Sequence, residues 1–526
     1  MSRDKKKSPF IIHPFLFALF PTLFLFSYNI GKIPPGAVFA PMAVIIFFSS
    51  FAFFLLYFLF MDREKAGLLV SLSLLFFFSY GHISKMIELA VSHFVIGRFS
   101  IGINGILFPL WGTLFFIAIY LSVKTRRNLS KTTRFLNVVG SLLIITSLVN
   151  IGSFAANAKG IPEGAGRKEG EVNVFEGREG IYPNIYFIIL DGYARADVLK
   201  DMYDHDNAEF IDYLTKKGFY VTGRSAANYC QTALTLASSF NLGYLDELAE
   251  DVGIDSYDHR PLRYAINNSL LFSFLKDHGY DIAAFFTGQI DTVIWKADMY
   301  ITPGWIPDEF QSELINTTPI PAVLYMLKAK NQFDVHRNKL LYILDHLADT
   351  CRLTPPVFVF AHIEAPHPPF VFGREGEKIK LHARFDYSDG NWLIRDGGFT
   401  KEEYVRAYRD QLIFINTKVK RTIDEILSRS KRPPIIILQA DHGPRSMLSW
   451  EDPAKTNFKE SMSILNAYYL PDEGHLYLYD EITPVNTFRI ILNHYFGASY
   501  KLLEDRNFFS TAKRPYRFID VTEEIK

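Results

Sequence analysis

Apolar segments crowd the first 155 residues, and nothing else in the 526-residue chain restricts its possible folds as strongly. A helix that crosses a bilayer needs about 20 mostly apolar residues. The stretches 11–31, 37–60, 66–83, 102–123 and 136–155 meet that pattern, so about five spans are expected. The third is the shortest, and the amphipathic stretch 83–94 behind it reads as a segment lying in the membrane interface. Chain-wide averages (49% hydrophobic, 15% aromatic) hide this division, because the 48 phenylalanines are concentrated near the N-terminus.

The charges between the spans set an orientation. Lys5, Lys6 and Lys7 precede the first, Arg63 and Lys65 follow the second, and Lys124, Arg126, Arg127, Lys131 and Arg134 follow the fourth. The alternate loops carry little beyond Lys32, Lys85 and Arg98. The positive-inside bias therefore places the N-terminus and the 124–134 loop in the cytoplasm. An odd number of spans then puts everything after about residue 156 outside, as the extracytoplasmic part of a multi-pass membrane protein. The first segment is long and the pattern repeats, which argues against a cleaved leader. The expected organisation is a transmembrane domain at 1–155, a linker at 156–182 rich in Gly, Glu, Lys and Arg, and an outer domain at 183–526.

In the outer domain, strand-like runs at 280–286, 357–361, 434–440 and 464–470 alternate with amphipathic stretches at 207–217, 270–278, 337–349 and 403–428. Alternation of this kind argues for an α/β domain with a mainly parallel central sheet. Net charge is zero, so nothing points to nucleic acid as a partner. With two cysteines, Cys230 and Cys351, there is no disulfide framework and no thiolate zinc cluster, and pairing of the two is not expected.

Two apolar runs end in metal-binding chemistry. Ile185–Leu190 is followed by Asp191-Gly192, and Pro434–Ala440 by Asp441-His442-Gly443. Open α/β sheets build their sites at the carboxyl ends of strands. A hard carboxylate oxygen beside an imidazole nitrogen suits a zinc- or manganese-type cation. The alternative for either motif is a strand-ending turn. Thr232 and Thr235 lie in a hydroxyl-rich stretch before a helical segment and, taken alone, read as helix caps. Asp197 is best read as a loop or cap residue.

Leu190 to Asp197, Thr232-Ala233-Leu234-Thr235, His362 to His367-Pro368-Pro369-Phe370, and Asp441-His442-Gly443 follow one another in an order that resembles the alkaline phosphatase superfamily. The likeness is to its membrane-anchored, sulfatase-like branch, the lipoteichoic acid synthases and lipid A phosphoethanolamine transferases, which also place five spans before an outward-facing domain. The resemblance implies an alkaline-phosphatase-like fold, with Thr232 as nucleophile and Asp191, Thr232, Asp441 and His442 as ligands of one divalent cation, Zn2+ or Mn2+. It implies that His367 contacts the substrate phosphate or protonates a leaving oxygen. Pro366, Pro368 and Pro369 would stiffen the loop that carries it. His362 reads equally as an assisting group or as a core histidine with satisfied nitrogens. Arg445 reads as a phosphate contact or, preferably, as a solvated charge. The segment Cys230-Gln231-Thr232-Ala233-Leu234 lacks the Pro and Arg of a sulfatase nucleophile, which disfavours sulfatase activity. A second metal site has no convincing ligands, since His475 and His494 are the last histidines.

The expected function is transfer of a phosphate-linked group, of phosphoethanolamine or phosphoglycerol type, from a membrane phospholipid or lipid-linked donor to a glycan or lipid acceptor of the cell envelope. A phospho-threonine intermediate would carry the group. The alternatives are a membrane-tethered phosphodiesterase or phosphatase, and a catalytically inert relative that senses envelope lipid.

Overall fold

The computed structural model describes residues 9–90, 93–96, 99–157, 182–304, 306–327, 329–379, 385 and 387–525. The first eight residues, with Lys5, Lys6 and Lys7, and most of the expected linker (158–181) lie outside the described residues. The chain divides into two compact units. One comprises Met1–Ala158 with Pro307–Asn331, the other Lys159–Ile306 with Gln332–Lys526.

The first unit is helical: α1 (His13–Tyr28), α2 (Phe39–Phe60), α3 (Arg63–Ala90), α4 (Ile103–Lys124) and α5 (Ser130–Asn157). Between α3 and α4 in sequence, His93–Ile96 pairs antiparallel with Phe99–Gly102. The stretch expected to lie in the interface therefore divides: its first part prolongs α3, and 93–96 is strand. Four segments, Pro35–Phe60, Arg63–Ile87, Asn104–Lys124 and Ser130–Ala156, are long and apolar enough to cross a membrane. The first expected span forms a helix of only 16 residues. It stops at Tyr28 because Gly31 turns into the left-handed region (φ 87°) and Pro34-Pro35 follow. Large apolar side chains remain exposed along these helices, including Phe39, Phe47, Phe58 and Phe116. A helix that is apolar all round belongs in a core or in lipid, not in water. Helix α1 is held inside the bundle. The His13 N–H donates to Asn137 of α5 (3.0 Å), His13 Nδ1 meets Ser71 Oγ of α3 (2.6 Å), and Phe15 packs on Phe53 of α2. Two further short helices of this unit, α7 (Glu309–Asn316) and α8 (Ile320–Met326), come from far along the chain.

The second unit is built on seven strands: β1 (Ile185–Leu190), β2 (Tyr220–Val221), β3 (Asp281–Phe285), β4 (Met299–Ile301), β5 (Val357–Ile363), β6 (Ile435–Gln439) and β7 (Asn466–Tyr469). Their spatial order is β2-β7-β6-β1-β5-β3-β4. The pairs from β6 to β4 are parallel, and only those made by β7 are antiparallel. The four expected strand runs are β3, β5, β6 and β7, within a residue or two at each end. The central strands are uninterrupted apolar runs because both faces of a parallel sheet are covered. Successive side chains alternate between those faces. On one face Tyr186, Ile188, Val359, Ala361, Ile436 and Leu438 pack against Tyr408, Leu412, Ile415 and Val419 of α10 (Lys401–Arg429). On the other, Phe187, Phe358, Phe360 and Ile437 pack on Leu234, Ala237 and Phe240 of α6 (Thr232–Phe240) and on Phe488 and Ile491. Each fully buried side chain of this size contributes about 1.5–3 kcal/mol. Helix α9 (Gln332–His346) adds Leu340, Ile343 and Leu344 to the first of these layers.

Candidate metal and phosphoryl-transfer site

The register of the three central strands creates the site. Ile189 pairs with His362 of β5 and with Gln439 of β6, and Leu190 pairs with Ile363. Parallel strands aligned in this way end at one level. Asp191, His362 and the Asp441-His442 pair, distant in sequence, are thereby delivered to one edge. Three oxygen and nitrogen atoms, one each from Asp191, His362 and Asp441, lie within 4.8 Å of one another, and all three residues are buried. His362 Nε2 is 3.5 Å from Asp191 and 3.7 Å from Asp441 Oδ2. His442 Nε2 stands 3.2 Å from Asp191 Oδ1 and 3.3 Å from Asp441 Oδ2. Thr232 closes the group, its hydroxyl donating to Asp441 Oδ2 at 2.6 Å.

Thr232 is the first residue of α6, and Gln231 before it holds the N-cap position without a side-chain cap. The threonine hydroxyl is therefore aimed at the carboxylate and does not cap its own helix. Thr235 has a structural part: its hydroxyl lies 3.1 Å from the Tyr229 carbonyl and 3.1 Å from the Asp441 carbonyl, tying α6 to the loop after β6. The opening N–H groups of a helix have no intrahelical acceptor, so the start of α6 is suited to receive an anionic oxygen.

Three atoms of this nest have no hydrogen-bond partner although they are buried: Asp191 Oδ1, His362 Nε2 and His442 Nε2. Buried polar atoms are normally paired, so a convergent set of unpaired lone pairs fits a cation. His442 is already oriented, since its Nδ1 is 2.8 Å from the Gly443 carbonyl. A proton on Nδ1 leaves Nε2 as the free donor, the arrangement in which a second partner fixes the ligating tautomer. Backbone N–H groups of Gly192 and His442 point at Asp441 Oδ1, at 3.3 and 3.1 Å. Burial by itself would raise the Asp441 carboxyl, but His442, His362 and the Thr232 hydroxyl hold it far below the usual carboxylate range. Burial also works against a charged His362, and there Asp441 and Asp191 prevail and raise it. His442 is lowered, by burial and then by the Arg445 charge. Residues Asp191, His362, Asp441 and His442 together fit a divalent cation of borderline character.

His362 is thus not a core histidine with satisfied nitrogens, because both of its ring nitrogens lack hydrogen-bond partners. Arg445 is not a solvated charge either. It is 7% exposed and sits in the left-handed region at φ 58°. It donates to the Cys230 carbonyl (3.0 Å) and pairs with Asp389 Oδ1 at 2.6 Å. His367 belongs to the same knot: Nδ1 is 2.5 Å from the Pro368 carbonyl, and Nε2 is 3.2 Å from Asp389 Oδ1 and 3.3 Å from Arg445. Burial opposes a charge on His367, but Asp191 and Asp389 outweigh it and raise its pKa to about 9. Asp389 also accepts from Trp450 Nε1 at 2.9 Å; burial would raise its carboxyl, but Arg445 and His367 outweigh it and hold it well down. Sequence reasoning missed Asp389 and Trp450, which carry no motif and meet the others only through the fold. It also missed Glu460. This buried carboxylate accepts from Tyr203 Oη (2.6 Å), Ser446 N (2.8 Å) and Ser446 Oγ (2.8 Å), fastening the turn that presents Arg445.

Asp197 pairs with Arg195 at 2.7 Å and with Lys459 at 3.2 Å, apart from the ligand group. His494 is bound to the Asp472 carbonyl, and neither it nor His475 joins the group. Cys230 and Cys351 are both free thiols.

No family model matches the chain, and no curated protein matches it. Solved structures that match include phosphoethanolamine transferases and sulfatases. The C-terminal periplasmic domain of EcEptC from Escherichia coli, in complex with Zn, is 10% identical. It covers 66% of this chain and 94% of that one, with a TM-score of 0.43. The integral membrane lipooligosaccharide phosphoethanolamine transferase EptA from Neisseria meningitidis is 11% identical, covers 91% of this chain and 94% of its own, and has a TM-score of 0.39. The periplasmic domain of phosphoethanolamine transferase EptC from Campylobacter jejuni is 13% identical over 63% of this chain and 94% of that chain, TM-score 0.37. At such identities and overlaps, the chemistry has to be read from the site's own geometry.

Proposed function

We propose that this protein is a membrane-anchored, metal-dependent enzyme that moves a phosphate-linked group through a covalent intermediate on Thr232. The observation that carries the reading is the 2.6 Å contact of the Thr232 hydroxyl with Asp441, inside a nest of unpaired carboxylate and imidazole donors. Asp191, Asp441, His442 and Thr232 would hold one cation, with His362 facing the same point. Bound there, Zn2+ or Mn2+ would lower the pKa of the hydroxyl and offset charge on the phosphoryl oxygens.

Thr232 Oγ releases its proton to water and attacks phosphorus, the bond to the donor's leaving oxygen breaks, and a diester of threonine remains. The start of α6 and the Arg445 guanidinium offer donors to the phosphoryl oxygens. His367, holding a proton at near-neutral pH, is the group to protonate the leaving oxygen. Asp389 keeps both cationic groups in place before substrate arrives. In the second half His367, now neutral, takes the proton of an acceptor hydroxyl as that oxygen attacks the same phosphorus, and the Thr232 oxygen leaves and is reprotonated from water. Apolar helices long enough to span a bilayer favour a lipid donor of phosphoethanolamine or phosphoglycerol type and an envelope acceptor. The basic 124–134 loop orients those helices so that the second unit is extracytoplasmic.

Intact mass of the full chain after incubation with mixed phospholipids and Zn2+ or Mn2+ tests this. A metal-dependent adduct is expected on the wild type and on Thr232→Ser and is expected to be missing from Thr232→Ala, its mass identifying the group. Turnover without an adduct, accompanied by free headgroup and no acceptor product, would favour a hydrolase. A wild type that binds no metal and forms neither adduct nor product overturns the enzyme reading.

A further inference from the structure

The segment Pro307–Asn331 interrupts the second unit in sequence, yet it packs among the N-terminal helices. Its two short helices meet α3 and α4 at a definite level. The Gly81 N–H of α3 donates to the Thr317 carbonyl at 2.9 Å. A Cβ at Gly81 would lie 1.9 Å from the Asn316 carbonyl oxygen, so only glycine admits this approach. Ala322 of α8 is buried with Tyr80 of α3 and Leu107 of α4.

That level is fixed along the helix pair. Helices α3 and α4 run antiparallel, with Lys65 Nζ on the Val123 carbonyl at one end, Phe76 against Trp111 in the middle and Tyr80 against Phe108 beyond. Seventeen residues separate Tyr80 from Arg63 and Leu107 from Lys124, about 25 Å of helix at ~1.5 Å per residue. Starting from the basic ends, that distance nearly crosses a hydrocarbon core of about 30 Å. Tyr80 and Ser84 both donate to Asn104 there, as polar groups do where a span reaches the headgroups.

Helix α8 has an apolar outer stripe as well as its packed side. Ile320-Pro321-Ala322-Val323-Leu324-Tyr325-Met326-Leu327 contains no charge. While Ala322 faces the bundle, Ile320, Met326 and Leu327 are 36%, 45% and 71% exposed. This stripe belongs to the same unit as the exposed Leu110 and Leu114 of α4 and Met86 of α3. Water is a poor solvent for such a surface, and membrane lipid is the occupant that its depth selects.

We propose that α8 is an interfacial helix of the membrane unit, seated through Gly81 and Ala322 and inserting Ile320, Met326 and Leu327 into the outer headgroup–acyl boundary. The catalytic half of the chain would then return to the bilayer surface with a segment of its own. The inference rests on α2 to α5 crossing a bilayer, and the test separates the two claims. The full chain carrying Cys351→Ser is reconstituted in phosphatidylcholine vesicles, with an environment-sensitive fluorophore on Leu327→Cys, or on Phe116→Cys in the exposed apolar middle of α4. For a side chain buried about 5–10 Å into the interface, lipids brominated near the headgroup should quench the label at 327 more than lipids brominated near the chain ends, by roughly twofold. The label at 116 should show the opposite order. In Gly81→Leu the quenching at 327 should fall to the level seen in vesicles without brominated lipid. Lipid quenching at 116 without quenching at 327 overturns the proposal. No quenching at either position overturns the membrane reading itself. Undiminished quenching at 327 in Gly81→Leu overturns the seating on α3.

Discussion

Removing the Asp389 carboxylate is the sharpest test of how the site is held. Asp389 lies between Arg445 (2.6 Å), His367 (3.2 Å) and Trp450 (2.9 Å), and the Arg445 side chain is only 8% exposed. A buried ion pair is a weak net stabiliser, but deleting one partner strands the other, typically at about 3–5 kcal/mol. Asp389→Ala should therefore destabilise the second unit by about that amount, the Arg445 charge being left without its carboxylate. Arg445→Met in the same background removes the stranded charge and should recover about 2 kcal/mol or more, a coupling within the range for groups in one network. Hydrogen exchange of the Ile435–Gln439 amides in the full chain reads this out, because central strands open only with the whole unit. At about 1.4 kcal/mol per factor of ten, the single variant should exchange roughly a hundredfold faster or more, and the double variant should lie between it and the wild type. If the single variant exchanges at the wild-type rate, or the two losses simply add, Asp389 does not hold Arg445 and the positioning argument fails.

Asp191→Asn and Asp441→Asn should each lose bound Zn2+ or Mn2+, measured by elemental analysis, by more than the about 10–100-fold seen when only an outer partner of a ligand is lost. Cys230 is fully buried and burial pushes its thiol up to about 11, so iodoacetamide at pH 8 should leave it unmodified in the folded protein. Alkylation of the partly exposed Cys351 should come first, and both should react in denaturant. Burial opposes ionisation of Asp197, but Arg195 and Lys459 overcome it and lower the carboxyl to about 2. A folded-state value below the unfolded one stabilises at neutral pH, and that contribution is lost as pH falls from about 4 toward 2. Asp197→Asn should therefore cost under about 1 kcal/mol at pH 7, its side chain being 39% exposed, with the difference vanishing near pH 2 in parallel unfolding curves.

What the sequence determined by itself was the chemistry that each strand delivers. Ile185–Leu190 and Ile435–Gln439 are unbroken apolar runs because parallel strands are covered on both faces, and that signal is local. Asp191 and Asp441-His442 follow directly from where those runs stop. The four helices long and apolar enough to cross a membrane were legible for the same reason, since apolar residues run all round each of them, whereas α1 ended early, before Gly31 and Pro34. The tertiary structure decided which side chains meet. Whether His362 was a satisfied core residue or a group meeting Asp191 and Asp441 depended on strand register, which no residue of β5 specifies alone. Arg445 became a buried charge only because Asp389, 56 positions earlier, and Glu460, 15 later, close around a left-handed turn. The return of 307–331 to the helical unit turned on Gly81, whose missing Cβ is a contact made across the chain and leaves no local pattern. Local periodicity reports the environment a residue needs, whereas partners brought together over long sequence separations are chosen by packing, and packing exists only in three dimensions.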